Sequence, residues 1–471
     1  MPTKYDQTSA QDIERFGKRL LNKTLREQPG EVAIPANLLN QQIGARSRSA
    51  FGAILEKYYY GITPPNTSEP DFPEAKVELK STPLKRLSDG QWAAKERLVL
   101  NIINYEKEAA SADFEAGSFL RKNAQIMLVS FEHKNDGAVV DNPIRIAQLL
   151  NFKDLPDEDQ LIIRQDWEHI VKRIRAGMAH ELSEGETDYL AACTKASNSL
   201  DRRSQPFGPE AKPRAFSFKG GYMTVLMRQM LDKTAAEFEY EPVIKDVSVL
   251  EKKTLESEIS SRFDSYIGKS YTEIAAELKL DTVAKDKFAL IARRILGVSG
   301  RKIEEFEKAE ITMKNVQLKS NGKPKEAISF PYFKFKEVVN ENWEQYEDED
   351  SMPSQFRGDL ERRFFFVIWR CKDKCKKEEE RILEKVFFWN MPVYDLNIVK
   401  NMWERTKQAV TESKTSAFPK ESEHQIIHVR PHGRNKADTD ILPDGSKFTK
   451  QCFWLNHDYI SSIIGLEDVG N

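Results

Sequence analysis

The residues of this chain best suited to chemistry are two carboxylates and a lysine that follow a turn-forming run. Asp71, Glu78 and Lys80 have the spacing D-x6-E-x-K, directly after Gly61-Ile-Thr-Pro-Pro-Asn-Thr-Ser-Glu-Pro70. Carboxylate oxygens are ligands for a hard Mg²⁺ ion, and an adjacent ammonium offsets phosphate charge or helps to activate water. The pattern therefore indicates metal-assisted hydrolysis of phosphodiesters, although a chain rich in Asp, Glu and Lys also produces such spacings by chance.

A short strand must position these groups. Val77 and Leu79 are its apolar alternates, so Glu78 and Lys80 are predicted to point to one face. Glu56 lies on the apolar helix at residues 51–61 that precedes the turn. It is either a third acid, which orients the lysine or a water molecule, or an ordinary glutamate on a helix surface. For the whole run, the alternative interpretation is a surface turn followed by an edge strand.

Length and composition limit the class of protein. A chain of 471 residues is expected to form two domains. We find neither an apolar run of bilayer length nor a signal-peptide pattern, which predicts a cytoplasmic protein with no membrane partner. The four cysteines do not make a disulfide framework or a zinc-finger pattern, and they indicate a reducing compartment.

The net charge of −2 conceals a segregation of charge along the chain. Residues 195–233 and 424–450 are rich in Lys and Arg, whereas residues 341–350 are strongly acidic. Each run alone is typical of a solvated face. Two basic runs at corresponding places in two halves favour nucleic-acid binding instead. Lys195 and Asn198 are suitable readers of base edges, and Gly220 and Gly221 permit a partner to approach the backbone closely.

The chain repeats its plan at a distance of about 235 to 245 residues. The matched features are helices at 51–61 and 288–297, the runs 71–80 and 305–314, strands at 97–105 and 327–335 and at 124–131 and 363–368, and tryptophan-bearing helices at 165–176 and 396–410. We therefore predict a duplicated protein with halves at residues 1–245 and 246–471.

The two copies differ at the positions that would hold a metal ion. Glu78 corresponds to Thr312 and Glu56 to Ala292, while Asp71 is retained only as the longer Glu305. Threonine cannot supply an anionic ligand, so the second half is predicted to bind divalent metal poorly. Motifs of other catalytic classes, such as Gly-x-x-x-x-Gly-Lys-Ser/Thr, Gly-x-Ser-x-Gly and His-Glu-x-x-His, do not occur.

The run from Asp71 to Lys80, the upstream Glu56 and the late Lys219-Gly-Gly-Tyr222 resemble the MutH family of mismatch-repair nucleases, which nick unmethylated GATC sites. Over its whole length, the chain is similar to the long GATC-specific type II restriction endonucleases that are built from two MutH-like halves. Residues 95–107, 180–185 and 214–219 carry this wider resemblance.

The resemblance implies an α/β fold with two tandem restriction-endonuclease-like domains, each a mixed sheet flanked by helices. It implies Mg²⁺ as the cofactor, Asp71 and Glu78 as metal ligands, Lys80 as the catalytic lysine and Glu56 as an accessory acid. The candidate DNA-binding residues are Lys195, Asn198, Lys219 and Tyr222 in the first half and Arg430, Arg434 and Trp454 in the second.

One departure from the family concerns base recognition. MutH carries an Arg-Pro pair just before the lysine that matches Lys195, whereas this half has Cys193-Thr194. The second half keeps Arg430-Pro431 and places Trp454 near the position of Tyr222. We therefore expect the second half to retain DNA recognition without a metal site.

The resulting expectation is a bacterial type II restriction endonuclease that cleaves duplex DNA at GATC and leaves 5′ overhangs. Its second half would regulate cleavage through DNA or a second GATC site. One active site per chain implies transient self-association on DNA or sequential nicking. The alternatives are a partner-dependent GATC nickase of the mismatch-repair type and a non-catalytic GATC-binding protein.

Overall fold

The computed structural model describes residues 4–41, 47–63, 69–134, 136–232, 240–280, 286–344, 352–371, 375 and 377–466. Residues 64–68 of the turn-forming run, Lys233 of the first basic run and residues 345–350 of the acidic run lie outside this part. The chain divides into two compact units. The described residues of the first are those up to Thr254 together with Glu304–Glu310, and the remainder form the second.

The first unit is built on a mixed four-stranded sheet with the order β2-β1-β4-β5. Strand β1 runs parallel to β4, and the other neighbours are antiparallel. A second, antiparallel sheet has the order β3-β7-β6. The strands are β1 Glu78–Arg86, β2 Trp92–Ala94, β3 Leu98–Ile102, β4 Gln125–Glu132, β5 Ile144–Asn151, β6 Leu190–Thr194 and β7 Arg214–Phe218.

The described residues before 254 contain seven α-helices: α1 Ala10–Lys18, α2 Ala36–Leu39, α3 Ser47–Ile54, α4 Tyr105–Ala109, α5 Ser118–Asn123, α6 Asp157–Arg175 and α7 Gly220–Leu231. In α1 the hydroxyl of Ser9 accepts the backbone N–H of Asp12 at 3.3 Å, and Ile13 and Phe16 face the core. Three acidic residues in the first turn of α6 and three basic residues in its last turn oppose the helix dipole favourably.

The second unit repeats the arrangement of strands. Its mixed sheet has the order β13-β12-β8, with β8 parallel to β12, and its antiparallel sheet has the order β14-β17-β9. The strands are β8 Ile311–Leu318, β9 Ile328–Phe333, β10 Glu341–Asn342, β11 Met352–Pro353, β12 Arg363–Arg370, β13 Ile382–Trp389, β14 Ile427–Pro431, β15 Thr439–Ile441, β16 Lys447–Thr449 and β17 Gln451–Leu455.

In the part of the chain after residue 254 that the structure describes, eight α-helices follow: α8 Leu255–Ser261, α9 Tyr271–Glu277, α10 Lys287–Ile295, α11 Glu304–Ala309, α12 Phe335–Val338, α13 Gln355–Leu360, α14 Val393–Thr411 and α15 His457–Leu466. Of these, α11 belongs to the first unit. Helix α14 follows β13 as α6 follows β5, and both helices contain 19 residues. The predicted α/β class, with mixed sheets flanked by helices, is confirmed.

Each unit has its own hydrophobic core. In the first, Phe51, Val77, Leu79 and Met127 belong to one buried cluster. In the second, one buried cluster joins residues of β12, β17 and α14. Burying this apolar surface supplies the main driving force for folding, and it fixes which face of β1 and of β8 is left for polar residues.

Helix hydropathy and the cysteines bear on the predicted class of protein. No helix in the described part of the chain is long and apolar enough to cross a membrane. Cys371 and Cys375, at the end of β12, form a disulfide with a Cα–Cα distance of 5.7 Å, a bond that the sequence did not lead us to expect. Cys193 and Cys452 are free and buried.

Candidate active site

A tight hairpin turn brings the two acids of the D-x6-E-x-K run together. Phe72 and Val77 exchange backbone hydrogen bonds of 2.9 and 3.2 Å, and Lys76 closes the turn in the left-handed region, with φ +55°. Asp71 and Glu78 therefore lie on opposite arms of the turn. The backbone N–H of Asp71 donates to Glu78 Oε2 at 3.2 Å, and that of Leu79 donates to Asp71 Oδ2 at 2.9 Å.

Strand β1 places the lysine beside this pair of acids. Val77 and Leu79 are buried in the core, so Glu78 and Lys80 share the opposite face, as their alternation predicts. Lys80 Nζ donates to Glu78 Oε1 at 2.6 Å. The Glu78 side chain is only 2% exposed and that of Lys80 is 19% exposed, so their charges interact with little screening by solvent.

A second lysine, Lys122, reaches the same carboxylate and was missed in the sequence. Its Nζ lies 3.6 Å from Glu78 Oε1, and its side chain is 18% exposed. Lys122 is in the last turn of α5, just before β4. Because β1 and β4 are parallel, the residues that precede β4 lie beside the start of β1. Only the pairing of Glu78 with Ile126 reveals this neighbourhood.

Glu56 approaches the acids from the preceding helix. It lies in a π-helical segment, Leu55–Tyr59, that continues α3, and Gly61 ends the segment with φ +67°. Burial, followed by repulsion from Asp71, raises the pKa of Glu56 to about 7. Burial is also the main cause that raises the pKa of Glu78, with a further contribution from Asp71. Glu56 is thus a half-buried glutamate within electrostatic reach of Asp71 and Lys80 rather than an ordinary surface glutamate.

The chemistry of these groups fits the metal ion that the resemblance implies, although their side chains are not arranged around one. Among the residues that the structure describes, no three His, Cys, Asp or Glu side chains are arranged to hold a metal ion, and Glu78 Oε1 is directed to the two lysines. The donor chemistry nevertheless fits, since three carboxyl groups of which two are destabilised as anions gain from a hard divalent cation. Asp71 and Glu78 are the residues that would hold it.

The candidate DNA-binding residues of the first unit divide into two pairs. Lys195 is half-buried and Asn198 is exposed, both just after β6. The structure does not support a DNA contact by Lys219 or Tyr222. Lys219 is 3% exposed, and its Nζ donates to the carbonyl oxygens of Thr187 and Ala309. Tyr222 is fully buried, and its hydroxyl donates to Asp159 at 3.2 Å.

Two of the three candidates of the second unit, Arg430 and Trp454, are in contact. Arg430 is exposed, with its guanidinium 5.0 Å from the centre of the Trp454 ring, and His432 contacts the same ring edge-on at 5.5 Å. The exposed Arg434 borders a cavity of about 440 Å³, which is also lined by Asn435, Ala437, Asp438 and Lys450. A cationic surface with a partly exposed aromatic ring is suited to phosphates and bases.

Strand register corrects one sequence correspondence. Ser217 pairs with Ala191 in the first unit, as Trp454 pairs with His428 in the second. The residue that corresponds to Trp454 is therefore Ser217, whereas Tyr222 lies in α7. Ser217 and Cys193 are both buried. The first unit thus has small buried residues where the second has Arg430 and Trp454.

In the second copy of the D-x6-E-x-K run, strand register confirms the match of Thr312 and Lys314 with Glu78 and Lys80 but not the match of Glu305 with Asp71. Thr312 pairs with Phe364 as Glu78 pairs with Ile126, and Lys314 pairs with Phe366 as Lys80 pairs with Leu128. The sequence correspondence of Glu305 with Asp71, however, has no structural counterpart. Glu305 lies in α11 of the first unit, fully buried, where its carboxylate accepts the backbone N–H groups of Val243 and Ile244.

Comparison with known proteins gives a consistent result. The family model of the DNA mismatch repair enzyme MutH matches residues 60–166, which include the hairpin, β1 and Lys122. The type II restriction enzyme Sau3AI of Staphylococcus aureus is 36% identical over 464 residues, covering 88% of this chain and 92% of that protein. The DNA mismatch repair protein MutH of Shewanella amazonensis is 26% identical over 203 residues, covering 42% of this chain and 84% of that protein.

Proposed function

Because this chain belongs to the MutH-like type II restriction endonucleases and is therefore a site-specific deoxyribonuclease, we propose that it cleaves duplex DNA at GATC sites with Mg²⁺ and leaves 5′ overhangs. The observation that carries the proposal is the hairpin that holds Asp71 and Glu78 against each other beside Lys80. The GATC preference rests on the sequence resemblance. We place the enzyme in the bacterial cytoplasm, where its DNA substrate would be.

Asp71 and Glu78 are the residues that would hold Mg²⁺. When bound, the ion supplies Lewis acidity at the scissile phosphate and lowers the pKa of water. Asp71 is positioned by the backbone N–H of Leu79, and Glu78 by that of Asp71. Each carboxylate is thereby oriented by the other's arm of the hairpin before DNA binds, so little reorganisation is needed.

Lys80 and Glu56 act on the phosphate and the attacking water. The ammonium of Lys80, anchored to Glu78 at 2.6 Å, offsets the negative charge that develops on the phosphate oxygens in the transition state. Lys122 adds a second positive charge at the same carboxylate. Glu56 is placed to orient the attacking water and to accept its proton. The water oxygen attacks the phosphorus in line as the bond to the 3′ oxygen breaks, and solvent protonates the departing 3′ oxygen.

For the second unit, we propose a regulatory role through DNA contact. Arg430, Arg434 and Trp454 form its contact surface, and it would engage DNA or a second GATC copy. The unit has a threonine, Thr312, where β1 has Glu78, so no second cleavage site is assigned to it. The division into a catalytic half, residues 1–245, and a DNA-binding half, residues 246–471, remains part of this proposal.

One active site per chain has a consequence for a palindromic target. Both strands of GATC can be cut in one event only if two chains pair transiently on the DNA. Otherwise, a single chain nicks the two strands in sequence. Time courses that follow nicked and linear plasmid separate these routes.

The principal experiment is digestion of a plasmid with one unmodified GATC site by the purified chain, with and without Mg²⁺. We expect linear product with 5′ overhangs at GATC, no product in EDTA and none with Glu78→Gln. Nicked circles alone would favour the partner-dependent nickase. Full Mg²⁺-dependent cleavage by Glu78→Ala would overturn the assignment of the site.

A second experiment addresses regulation. Plasmids with one and two GATC sites are compared at equal site concentration. We expect faster cleavage of the two-site plasmid, because its second site remains near the first at high effective concentration. Equal rates would count against an effector site in the second unit.

A further inference from the structure

Helix α11 completes the first unit from a distant part of the chain. The body of that unit ends at Thr254, yet Glu304–Glu310 belong to it as well. Glu305 accepts backbone N–H groups from Val243 at 3.0 Å and Ile244 at 2.7 Å. Its carboxylate thus satisfies two donors of the chain that leads out of the unit.

A buried ion pair holds the helix on its other side. Lys308 Nζ lies 2.7 Å from Asp159 Oδ1 and 2.8 Å from Glu304 Oε1. The side chains of Lys308 and Asp159 are only 4% and 3% exposed, and Tyr222 donates to the other oxygen of Asp159. A buried pair of this kind specifies one partner, because removal of either charge leaves the other uncompensated.

The start of α7 is shaped to accept this segment. A side chain at Gly221 would place Cβ only 2.1 Å from the carbonyl oxygen of Glu307. Instead, the N–H of Gly221 donates to Glu310 Oε1 at 3.0 Å, and Lys219 Nζ donates to the carbonyl of Ala309 at 3.2 Å. The two glycines thus allow a close approach to their backbone, as the sequence predicts, but the partner is α11 and not DNA.

Helix α7 connects this groove to the metal-site strand. Thr224 Oγ1 accepts the N–H of Ala94 at 3.0 Å, and Arg228 Nε donates to the carbonyl of Trp92. Trp92 and Ala94 are in β2, which pairs with β1. A shift of the first turn of α7 would therefore be felt at β1, the strand that carries Glu78 and Lys80.

We propose that the groove formed by Asp159, Lys219, Gly221 and the backbone at Val243 and Ile244 is a regulatory binding site, and that its ligand is the segment 304–310 of this chain. Occupancy orders the first turn of α7 and, through β2, positions β1 for cleavage. Lys308 is a positioning residue and does not touch DNA. The inference rests on the proposed function only where cleavage is the readout.

The test uses the full-length chain with exchanged charges. Lys308→Asp and Asp159→Lys are compared with the double variant, at temperatures at which circular dichroism reports each as folded. We expect kcat for GATC cleavage to fall at least tenfold in each single variant, with KM nearly unchanged, and to recover in the double variant. Lys172→Asp, an exposed residue of α6, is the matched control and should cleave normally.

A synthetic peptide of residues 302–312 provides an independent measurement. If Lys308→Asp does not fold, Lys308→Met takes its place, since it keeps the length of the side chain. Added to the folded variant, the peptide should restore cleavage in a saturable manner. Its fluorescein-labelled form should bind the variant with the same midpoint by anisotropy.

Two results would overturn the inference. One is an unchanged kcat in the single variants, with a lower melting temperature alone, which would make α11 a passive packing element. The other is a folded variant that the peptide neither binds nor restores. Failure of the proposed function has a different signature, since the unaltered chain would then not cut GATC DNA although the labelled peptide still bound the variant.

Discussion

The start of β1 in the first unit and the start of β8 in the second have the same strand pairing but opposite chemistry. In β1, Glu78 is enclosed by Lys80 and Lys122. In β8, Thr312 takes the place of the acid. Burial there lowers the pKa of Lys314, and Asp359, next to α13's last residue, opposes that shift. The second unit thus has a lysine on the strand without the adjacent glutamate of β1, and the nearby negative charge belongs to a residue of α13.

The two strand starts differ in more than one residue. The hairpin that presents Asp71 has no counterpart before β8, because the corresponding residues form α11. Glu305 of this helix belongs to the first unit, where it accepts two backbone N–H groups. Strand pairing survives such changes because it depends on backbone hydrogen bonds and on the apolar face.

The largest effect is expected for Glu78→Gln. Loss of an anionic ligand removes several kcal/mol of transition-state stabilisation, so single-turnover cleavage should fall by about 10³-fold or more. Thr312→Ala at the corresponding position should leave the rate unchanged. Mg²⁺ titration by calorimetry should show weaker binding only in the first variant. A comparable loss in both variants would mean that the two strands do not differ in function.

The next largest effect is expected for Lys122→Ala, at about tenfold in the cleavage rate. Lys122 places a second positive charge 3.6 Å from Glu78 Oε1, in a site where screening is weak. Lys122→Arg should recover most of the activity because it preserves the charge. Arg121→Ala, an exposed neighbour on the same helix, is the control. An unaffected rate in Lys122→Ala would limit the cationic part of the site to Lys80.

In the second unit, Trp454→Ala should weaken DNA binding by roughly tenfold, the effect expected for the loss of one stacked base. The measurement is anisotropy with a labelled GATC duplex in the Glu78→Gln background, which prevents cleavage. Tyr394→Ala, which removes an aromatic ring that is 74% exposed, serves as the control. Identical affinities for the two variants would exclude the Arg430–Trp454 face as a contact surface.

Glu158 tests the structural use of Glu305. Burial, and then the charge of Glu305, raise the pKa of Glu158 to about 8. The folded state holds the proton of Glu158 more tightly than the unfolded chain does. The free energy of unfolding is therefore highest below the ordinary pKa of glutamate and falls as the pH rises through 8. Glu158→Gln should reduce the loss of unfolding free energy between pH 6 and 9 by about 2 kcal/mol. Urea denaturation measures it, with Glu168→Gln as the exposed control.

The smallest effect is expected for Thr312→Glu in the Glu78→Gln background, which should restore no cleavage. A carboxylate on β8 would face Lys314 without an acid in the place of Asp71, so it would lack the pair of acids that we propose for the ion in the first unit. Plasmid nicking over extended digestion is the measurement. Any Mg²⁺-dependent activity would contradict the view that the hairpin, and not the strand alone, makes the site.

Much of the site follows from local sequence. Alternation of Val77 and Leu79 with Glu78 and Lys80 is enough to predict a strand with both functional groups on one face, because side chains along a strand point to opposite faces in turn. The repeated order of strands and helices likewise predicted the shared α/β topology. The repeat in the sequence also predicts that Thr312 occupies the position of Glu78, and the strand register agrees.

Only the tertiary structure decided what depends on contacts between distant segments. The parallel pairing of β1 with β4 brings Lys122 to Glu78, and no local pattern encodes that distance. In sequence, Glu305 resembles a metal ligand and Lys219 a DNA contact. In the structure both are buried in the first unit, where Glu305 accepts the backbone N–H of Val243 and Lys219 donates to the carbonyl of Ala309. The sequence determined which charged groups are available. Long-range packing decided which of them face a ligand, because a charged side chain can be buried only where the fold supplies an opposite charge or hydrogen-bond partners for it.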